Sequence, residues 1–228
     1  MDKANYSDMQ RSPVFSKEIY PVLEERIKEY VNHEKNFLSA RTVNSPRAVG
    51  DALQDLLEEK FGVLVSEYVQ DYSANFARRA MADLAFTDKA GFYNVVDIKT
   101  HRLDTKFNMP NLTSVERLAR FYEDDKNTFS VLTIAYNIED DAVKVAKVHF
   151  VPIEYLSWEC LTLGALGWGQ IQIANSNNII VKPEYSRKKW MIELCDELLN
   201  FYPLEMEKIA KRMEYFKKVQ EKWQGKSE

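Results

Sequence analysis

The chain has 228 residues, of which 45% are hydrophobic and 29% are charged, and its formal net charge is −4. This length and apolar content suffice for one domain with a sizeable core, and they exclude a chain that is disordered throughout. The first residues lack the apolar core of a signal peptide, and no run approaches the roughly 18 to 20 apolar residues that cross a membrane. We therefore expect a cytoplasmic protein.

The charge is unevenly distributed along the chain. The acidic total argues against a protein that coats nucleic acid without specificity. Between residues 74 and 106, however, basic residues outnumber acidic ones. The basic residues are Arg78, Arg79, Lys89, Lys99, Arg102 and Lys106, and the acidic ones are Asp83, Asp88, Asp97 and Asp104. The net charge is therefore compatible with a basic cleft.

Two amphipathic helices are predicted in the first quarter of the chain. The segment at 17–38 carries apolar residues at helical spacing, and Pro21 places the start of the helix near that residue. In the second helix, at 45–62, Ser45 can cap the first turn and Gly62 is expected to end it.

Strands are predicted at 92–99, 129–136 and 143–151, where β-branched and aromatic residues are concentrated. The polar turn NIEDDA joins the last two as a hairpin, and a short crossover helix, SVERLARFYED, separates the first two. A further strand, GQIQIAN, alternates amide and apolar side chains. The pattern predicts one α/β domain.

Beyond Pro183 the sequence is rich in helix formers. One apolar stripe includes Leu194 and Cys195, and a second follows Pro203. We expect these stripes to pack on the core, with a dimer seam as the alternative. The expected organisation is a single domain over 1–228, with a catalytic core at about 45–182 and a C-terminal helical part at about 184–224. Cys160 and Cys195 have no metal-ligand spacing and are both expected to be buried.

Candidate chemistry lies in the segment MADLAFTDKAGFYNVVDIKTH. Alternate side chains of a strand share a face, so Asp97 and Lys99 project together while Ile98 points into the core. Asp83 can return beside them on a neighbouring strand. Two carboxylates and a backbone carbonyl form the oxygen environment that Mg²⁺ prefers, and a lysine beside them can hold water or offset phosphate charge. The alternative is an ordinary ion pair at a strand edge.

The arrangement D…DxK at the end of a strand resembles the PD-(D/E)xK nuclease superfamily, whose core is a mixed sheet flanked by helices. Ala82 stands where that family usually has proline. The segment DIKTHRLDTKFNMPNLTSVERLA is similar to the DNA-contacting segment of type II restriction endonucleases related to HincII, SwaI and EcoRV. The similarity covers roughly residues 48 to 177, and WGQIQI lies within it.

This resemblance implies specific roles. Asp83, Asp97 and the Ile98 backbone carbonyl would bind the metal, and Lys99 would be the catalytic lysine. Asp51, on the early helix, would be a supporting acid or else a solvent-facing residue. The family pattern has a glutamine where Asn108 stands, and the shorter amide argues against wedging between base pairs. Candidate DNA contacts, with solvated loop or strand-edge residues as the alternative, are Arg102, Thr105, Lys106, Asn108, Asn111, Gln170, Gln172, Asn175 and Asn177.

The implied function is that of a Mg²⁺-dependent type II restriction endonuclease that cuts both strands of a short palindromic site, leaving blunt ends. The implied partners are double-stranded DNA, a second copy of the chain and a cognate DNA methyltransferase, in the cytoplasm of a bacterium or archaeon. One alternative is a repair or recombination nuclease that recognises DNA structure. Another is a DNA-binding protein without catalysis.

Overall fold

The computed structural model describes residues 11–34, 37–38, 42–73, 82–140, 142–183 and 185–227. The predicted α/β class is confirmed, because a mixed five-stranded sheet in the order β1-β2-β3-β5-β6 forms the centre of the molecule. Only the β3–β5 pair is parallel. The strands of this sheet are β1 (Val69–Ser73), β2 (Leu84–Asp88), β3 (Tyr93–Arg102), β5 (Asn127–Glu139) and β6 (Ala142–Pro152).

A second, antiparallel sheet in the order β4-β8-β7 covers part of the first. Its strands are β4 (Asn111–Ser114), β7 (Leu161–Gly164) and β8 (Gln170–Ile173). β8 is the predicted amide-rich strand, and its alternation is confirmed because Ile171 and Ile173 are buried. β1, β4 and β7 were not predicted.

Four α-helices accompany the sheets in the described part of the chain: α1 (Tyr20–His33), α2 (Pro46–Leu64), α3 (Val115–Phe121) and α4 (Arg187–Gln224). The predicted cap of α2 is confirmed, because the Ser45 hydroxyl accepts a hydrogen bond from the Ala48 N–H at 3.3 Å. Gly62 does not end this helix, which continues to Leu64. None of the helices in the described ranges has the length and apolarity that crossing a membrane requires.

The core has two layers, one on each face of the five-stranded sheet. On one face α1 and α2 pack against the sheet, and Phe61 of α2 meets Phe150 of β6 edge-on at 5.4 Å between ring centres. On the other face α3, the small sheet and the start of α4 enclose a second apolar cluster that includes Val131 and Trp190. The strands are therefore held from both sides, which fixes the positions of the side chains at their ends.

The C-terminal region is one continuous helix of 38 residues that runs through Pro203. Its first part packs on the core through Trp190 and Leu194. The prediction of core packing is wrong for the part beyond Pro203, where Met206 is 70% exposed. The burial predicted for Cys195 is also wrong, because that residue is exposed, whereas Cys160 is buried as predicted. The spacing of apolar residues in the sequence identifies an apolar stripe on a helix, but it does not identify what packs against that stripe.

Candidate active site

The candidate site lies where β3 runs past the end of β2. The pairing of these strands starts with Leu84 opposite Val96, so the following residues of β3 have β5 as their only strand neighbour in the described structure. Such an edge leaves backbone groups available to other partners. Asp97 and Lys99 project from one face of β3, while Ile98 is buried in the cluster on the α1/α2 face. The predicted alternation of these residues is confirmed.

Asp83 lies directly before β2 in the chain, next to this edge of β3. Its N–H donates to the Val96 carbonyl oxygen at 3.0 Å, which continues the strand pairing by one step. Its carboxylate accepts a hydrogen bond from the Ile98 N–H at 2.7 Å and another from the Gln54 side-chain amide at 3.0 Å. The predicted return of Asp83 beside Asp97 on the neighbouring strand is therefore confirmed.

Asp97 and Lys99 form a largely buried ion pair, with 2.7 Å between Lys99 Nζ and Asp97 Oδ1. The Asp97 side chain is only 8% exposed. Its second oxygen, Oδ2, is buried and has no hydrogen-bonding partner in the described part of the chain. An unpaired carboxylate oxygen inside a protein is costly unless another group completes its environment.

Burial is the main influence on the ionisation of both acids. It raises the pKa of Asp97 to about 7; Lys99 opposes this shift, and the charge of Asp83 adds to it. Burial also raises the pKa of Asp83, opposed by the Ile98 N–H and by Lys99. Two carboxylates and a lysine thus influence one another electrostatically, a combination that is common at functional sites.

The oxygen atoms at this point are of the kind that a hard divalent cation binds. The N–H and C=O groups of a strand residue point to the same side, so the Ile98 carbonyl is directed toward the side where its N–H meets Asp83. The described residues contain no group of three or more His, Cys, Asp or Glu side chains placed to hold a metal. The donors available to a cation would be two carboxylates and one carbonyl, a set in which Mg²⁺ normally keeps several waters.

Three pockets adjoin the candidate site. One of about 400 Å³ has Lys99, Arg102 and Asn108 in its wall. A second, of about 280 Å³, is lined by Asp83 and the acidic side of α2. Asp51 is exposed and lines both of these. The third, of about 580 Å³, extends from Lys99 across the sheet to the loop at 176–179. Lys99 and Asp83 are thus reached by open space, whereas Asp97 lines none of these three pockets and is 6% exposed.

Several residues predicted to contact DNA lie on the rim of these pockets. Arg102 ends β3 and pairs with Asp104 at 2.7 Å. Thr105 lines the same pocket as Lys99, and Lys106 beside it is exposed. Arg78 and Arg79, which the sequence places in the same basic region, lie outside the described residues.

Asn177 and Asn175 have structural contacts that the sequence did not reveal. The Asn177 amide oxygen lies 2.7 Å from His101 Nε2, and its amide nitrogen donates to the Thr105 carbonyl at 3.1 Å. The Asn175 side chain accepts a hydrogen bond from the Asn177 N–H at 3.0 Å. Asn177 therefore holds the loop at 176–179 against the end of β3. Both the oxygen and the nitrogen of its side-chain amide take part in these contacts.

The other amide residues form a strip on the small sheet. Asn111 opens β4 and pairs with Gln172 of β8, whose amide donates to the Asn111 side-chain oxygen at 2.5 Å. Gln170 lies two residues earlier on β8 and therefore shares the face of Gln172. Asn108 lies in the wall of the pocket that contains Lys99. The structure thus brings together Asn111 and Gln172, which are 61 residues apart in the sequence.

Gln54 is a site residue that the sequence analysis missed. Its amide contacts both Asp83 and Glu58, at 3.0 Å in each case. The only signal in the sequence is its position on α2, between Asp51 and Asp55. This position indicates a contact with Asp83 only when the packing of α2 on the sheet is known.

These features define a buried acid and lysine centre that suits a divalent cation at the open edge of a mixed sheet. No protein-family model matches the chain, and no curated protein matches it significantly. The interpretation of the site therefore depends on its own residues and geometry.

Proposed function

We propose that the chain is a Mg²⁺-dependent type II restriction endonuclease with a PD-(D/E)xK core. The observation that carries this proposal is the buried Asp97 oxygen without a partner, next to Lys99 and the carboxylate of Asp83. A buried ion pair is favourable only when further hydrogen bonds satisfy the remaining lone pairs of its acid, and Asp97 Oδ2 has no such partner in the described residues. A bound metal ion would supply that partner.

The residues of the site have distinct roles in this proposal. Asp83, Asp97 and the Ile98 carbonyl would hold Mg²⁺, which when bound supplies positive charge to a phosphodiester and lowers the pKa of water. Gln54 orients the Asp83 carboxylate through one oxygen, and the Ile98 N–H orients it through the other. Lys99 presents an ammonium group that orients an attacking water and offsets charge developing on the phosphate.

The surroundings of the site fit a DNA duplex. Arg102 and Lys106 lie where they can meet phosphates, and the amide strip of Asn111, Gln170 and Gln172 offers paired donors and acceptors of the kind that read base edges. Asn108 lines the same pocket as Lys99 and Arg102.

The proposed biological unit follows from the proposed substrate. A two-fold dimer matches a palindromic site and supplies one catalytic centre to each strand, with cleavage leaving blunt ends. A cognate DNA methyltransferase would protect the host sites. The support for these points is the sequence resemblance together with the arrangement of the catalytic residues.

The direct test incubates the full chain with unmethylated phage DNA in Mg²⁺ or in EDTA. We expect the wild-type chain to produce discrete fragments in Mg²⁺ and none in EDTA. We expect Asp97→Ala to produce no fragments in either condition. Asp104→Ala is the matched control because it removes an exposed acid from the same segment. Cleavage restricted to branched DNA would favour the structure-specific nuclease. Binding without cleavage in any condition would favour a non-catalytic DNA-binding protein.

A further inference from the structure

The second half of α4 extends away from the other residues that the structure describes. The last contacts with the body are near Tyr202, whose hydroxyl donates to the Trp168 carbonyl at 2.6 Å, and near Glu205, which is 9% exposed. From Met206 to Gln224 no residue is buried. This segment is about 28 Å long at the usual rise of a helix.

The exposed segment carries an apolar stripe with the spacing of a coiled coil. Six residues, here called the seam, follow one another at alternating intervals of three and four. They are Met206, Ile209, Met213, Phe216, Gln220 and Trp223. The five apolar members are each between 49% and 70% exposed. A strict period of 3.5 residues is the signature of a helix that pairs along one line with another helix.

We propose that the seam binds the seam of a second copy of this chain in an antiparallel orientation. Burying six side chains at roughly 80 Å² each removes roughly 1,000 Å² from water over both partners, which is the lower limit for a specific interface. A concentrated apolar surface of this kind is unusual on a protein that remains a monomer. A second copy of the chain carries seam residues at the same spacing, so each seam residue can pack against a seam residue of the partner.

The charges beside the seam favour the antiparallel orientation. In a parallel pair Arg212 would face the partner's Lys217, which places like charges together on both sides of the interface. When the helices are antiparallel and Met213 lies opposite the partner's Phe216, Arg212 faces the partner's Val219. Lys217 then faces the partner's Ala210. The antiparallel arrangement therefore has no like-charged pair at these flanking positions.

This interface deepens the proposed function and rests on it only for the expectation that two catalytic centres act together. An antiparallel pair of identical helices has a two-fold axis perpendicular to the helices, midway along the seam. The same axis would relate the two active sites to the two strands of a palindrome. The seam would thus form the dimer, and the amide strip would remain free for DNA.

The first test measures the mass of the full chain by sedimentation equilibrium without DNA. We expect about 53 kDa, twice the 26.6 kDa of one chain. Phe216→Glu places two charges in the seam of each dimer and should raise the dissociation constant at least ~100-fold. Tyr215→Glu is a matched control, because Tyr215 and Phe216 are both 63% exposed and only Phe216 belongs to the seam.

Circular dichroism of each variant verifies that α4 remains helical. A wild-type chain that remains at 26.6 kDa at micromolar concentrations overturns the proposal. A Phe216→Glu variant that dimerises as tightly as Tyr215→Glu overturns it as well.

A second test determines the orientation by disulfide formation in a Cys195→Ser background. Met213→Cys and Phe216→Cys chains should crosslink when they are mixed and not when each is oxidised alone, because these positions face each other only in the antiparallel pair. Crosslinking of each single variant with itself would indicate a parallel pair and contradict the proposal.

These measurements need neither DNA nor Mg²⁺, so they are separate from the test of catalysis. If the chain is a dimer but cleaves no DNA, the proposed interface is supported and the proposed nuclease function is contradicted. If the chain is a monomer that cleaves DNA, the nuclease function is supported and the proposed interface is contradicted.

Discussion

Replacing the buried acid Asp97 by asparagine should abolish catalysis and should make the protein progressively more stable, relative to wild type, as pH rises toward 7. Burial raises the pKa of Asp97 from 3.8 to about 7. Because the folded state holds the proton more tightly than the unfolded state, the stability associated with this group is present at low pH and is lost as pH rises toward 7. A difference of about 3 pKa units corresponds to about 4 kcal/mol. Asparagine does not titrate, so the variant avoids this loss.

The assay is urea unfolding of wild type and Asp97→Asn at a series of pH values without divalent metal. We expect the stability of the variant relative to wild type to increase by about 1.4 kcal/mol per pH unit between about pH 4 and pH 7, and to level off above that. Titrating groups that do not interact with Asp97, such as Glu24, are common to both proteins and cancel in the difference, whereas Asp83 does not cancel because its charge interacts with that of Asp97.

Added Mg²⁺ should stabilise wild type and not Asp97→Asn, because the metal binds only the native carboxylate site. A stability difference that stays constant from about pH 4 to pH 8 would refute the reasoning. It would mean that Asp97 is ionised throughout this range without cost, so no missing partner would be needed.

Four further substitutions separate the roles of the surrounding residues. Lys99→Met should lower single-turnover cleavage at least ~100-fold while DNA binding in EDTA changes little, and equal losses of both would contradict a catalytic role. Gln54→Leu removes a hydrogen bond from Asp83 and should raise the Mg²⁺ concentration for half-maximal cleavage about 10-fold to 100-fold, with recovery at excess Mg²⁺. Asn177→Ala should cost about 1 to 3 kcal/mol in urea unfolding because it releases the loop at 176–179, whereas Asn108→Ala should leave stability unchanged and alter cleavage alone.

Local patterns in the sequence predicted the strand of the candidate site well. Alternation alone places Asp97 and Lys99 on one face and Ile98 on the other, and the hairpin spacing brings Asp83 back to the same edge. The cap at Ser45 is equally local. These features depend on neighbours along the chain or on one tight turn, so the residue types contain the necessary information.

Features that depend on distant pairing were not predictable in the same way. The contact between Asn111 and Gln172 requires the register of two strands that are 61 residues apart. The contact of Gln54 with Asp83 requires the docking of α2 on the sheet. Nor does the apolar stripe of α4 reveal what covers it, which is why core packing was expected beyond Pro203 and solvent exposure was found.

The measurement that most directly tests the proposed function is sequencing of both DNA ends produced by the wild-type chain with Mg²⁺. We predict that every cut lies within one short palindromic sequence and that the two strands are cut at the same position, leaving blunt ends. Cuts at unrelated sequences, or duplex DNA that stays intact while Mg²⁺ is present, would contradict a type II restriction endonuclease.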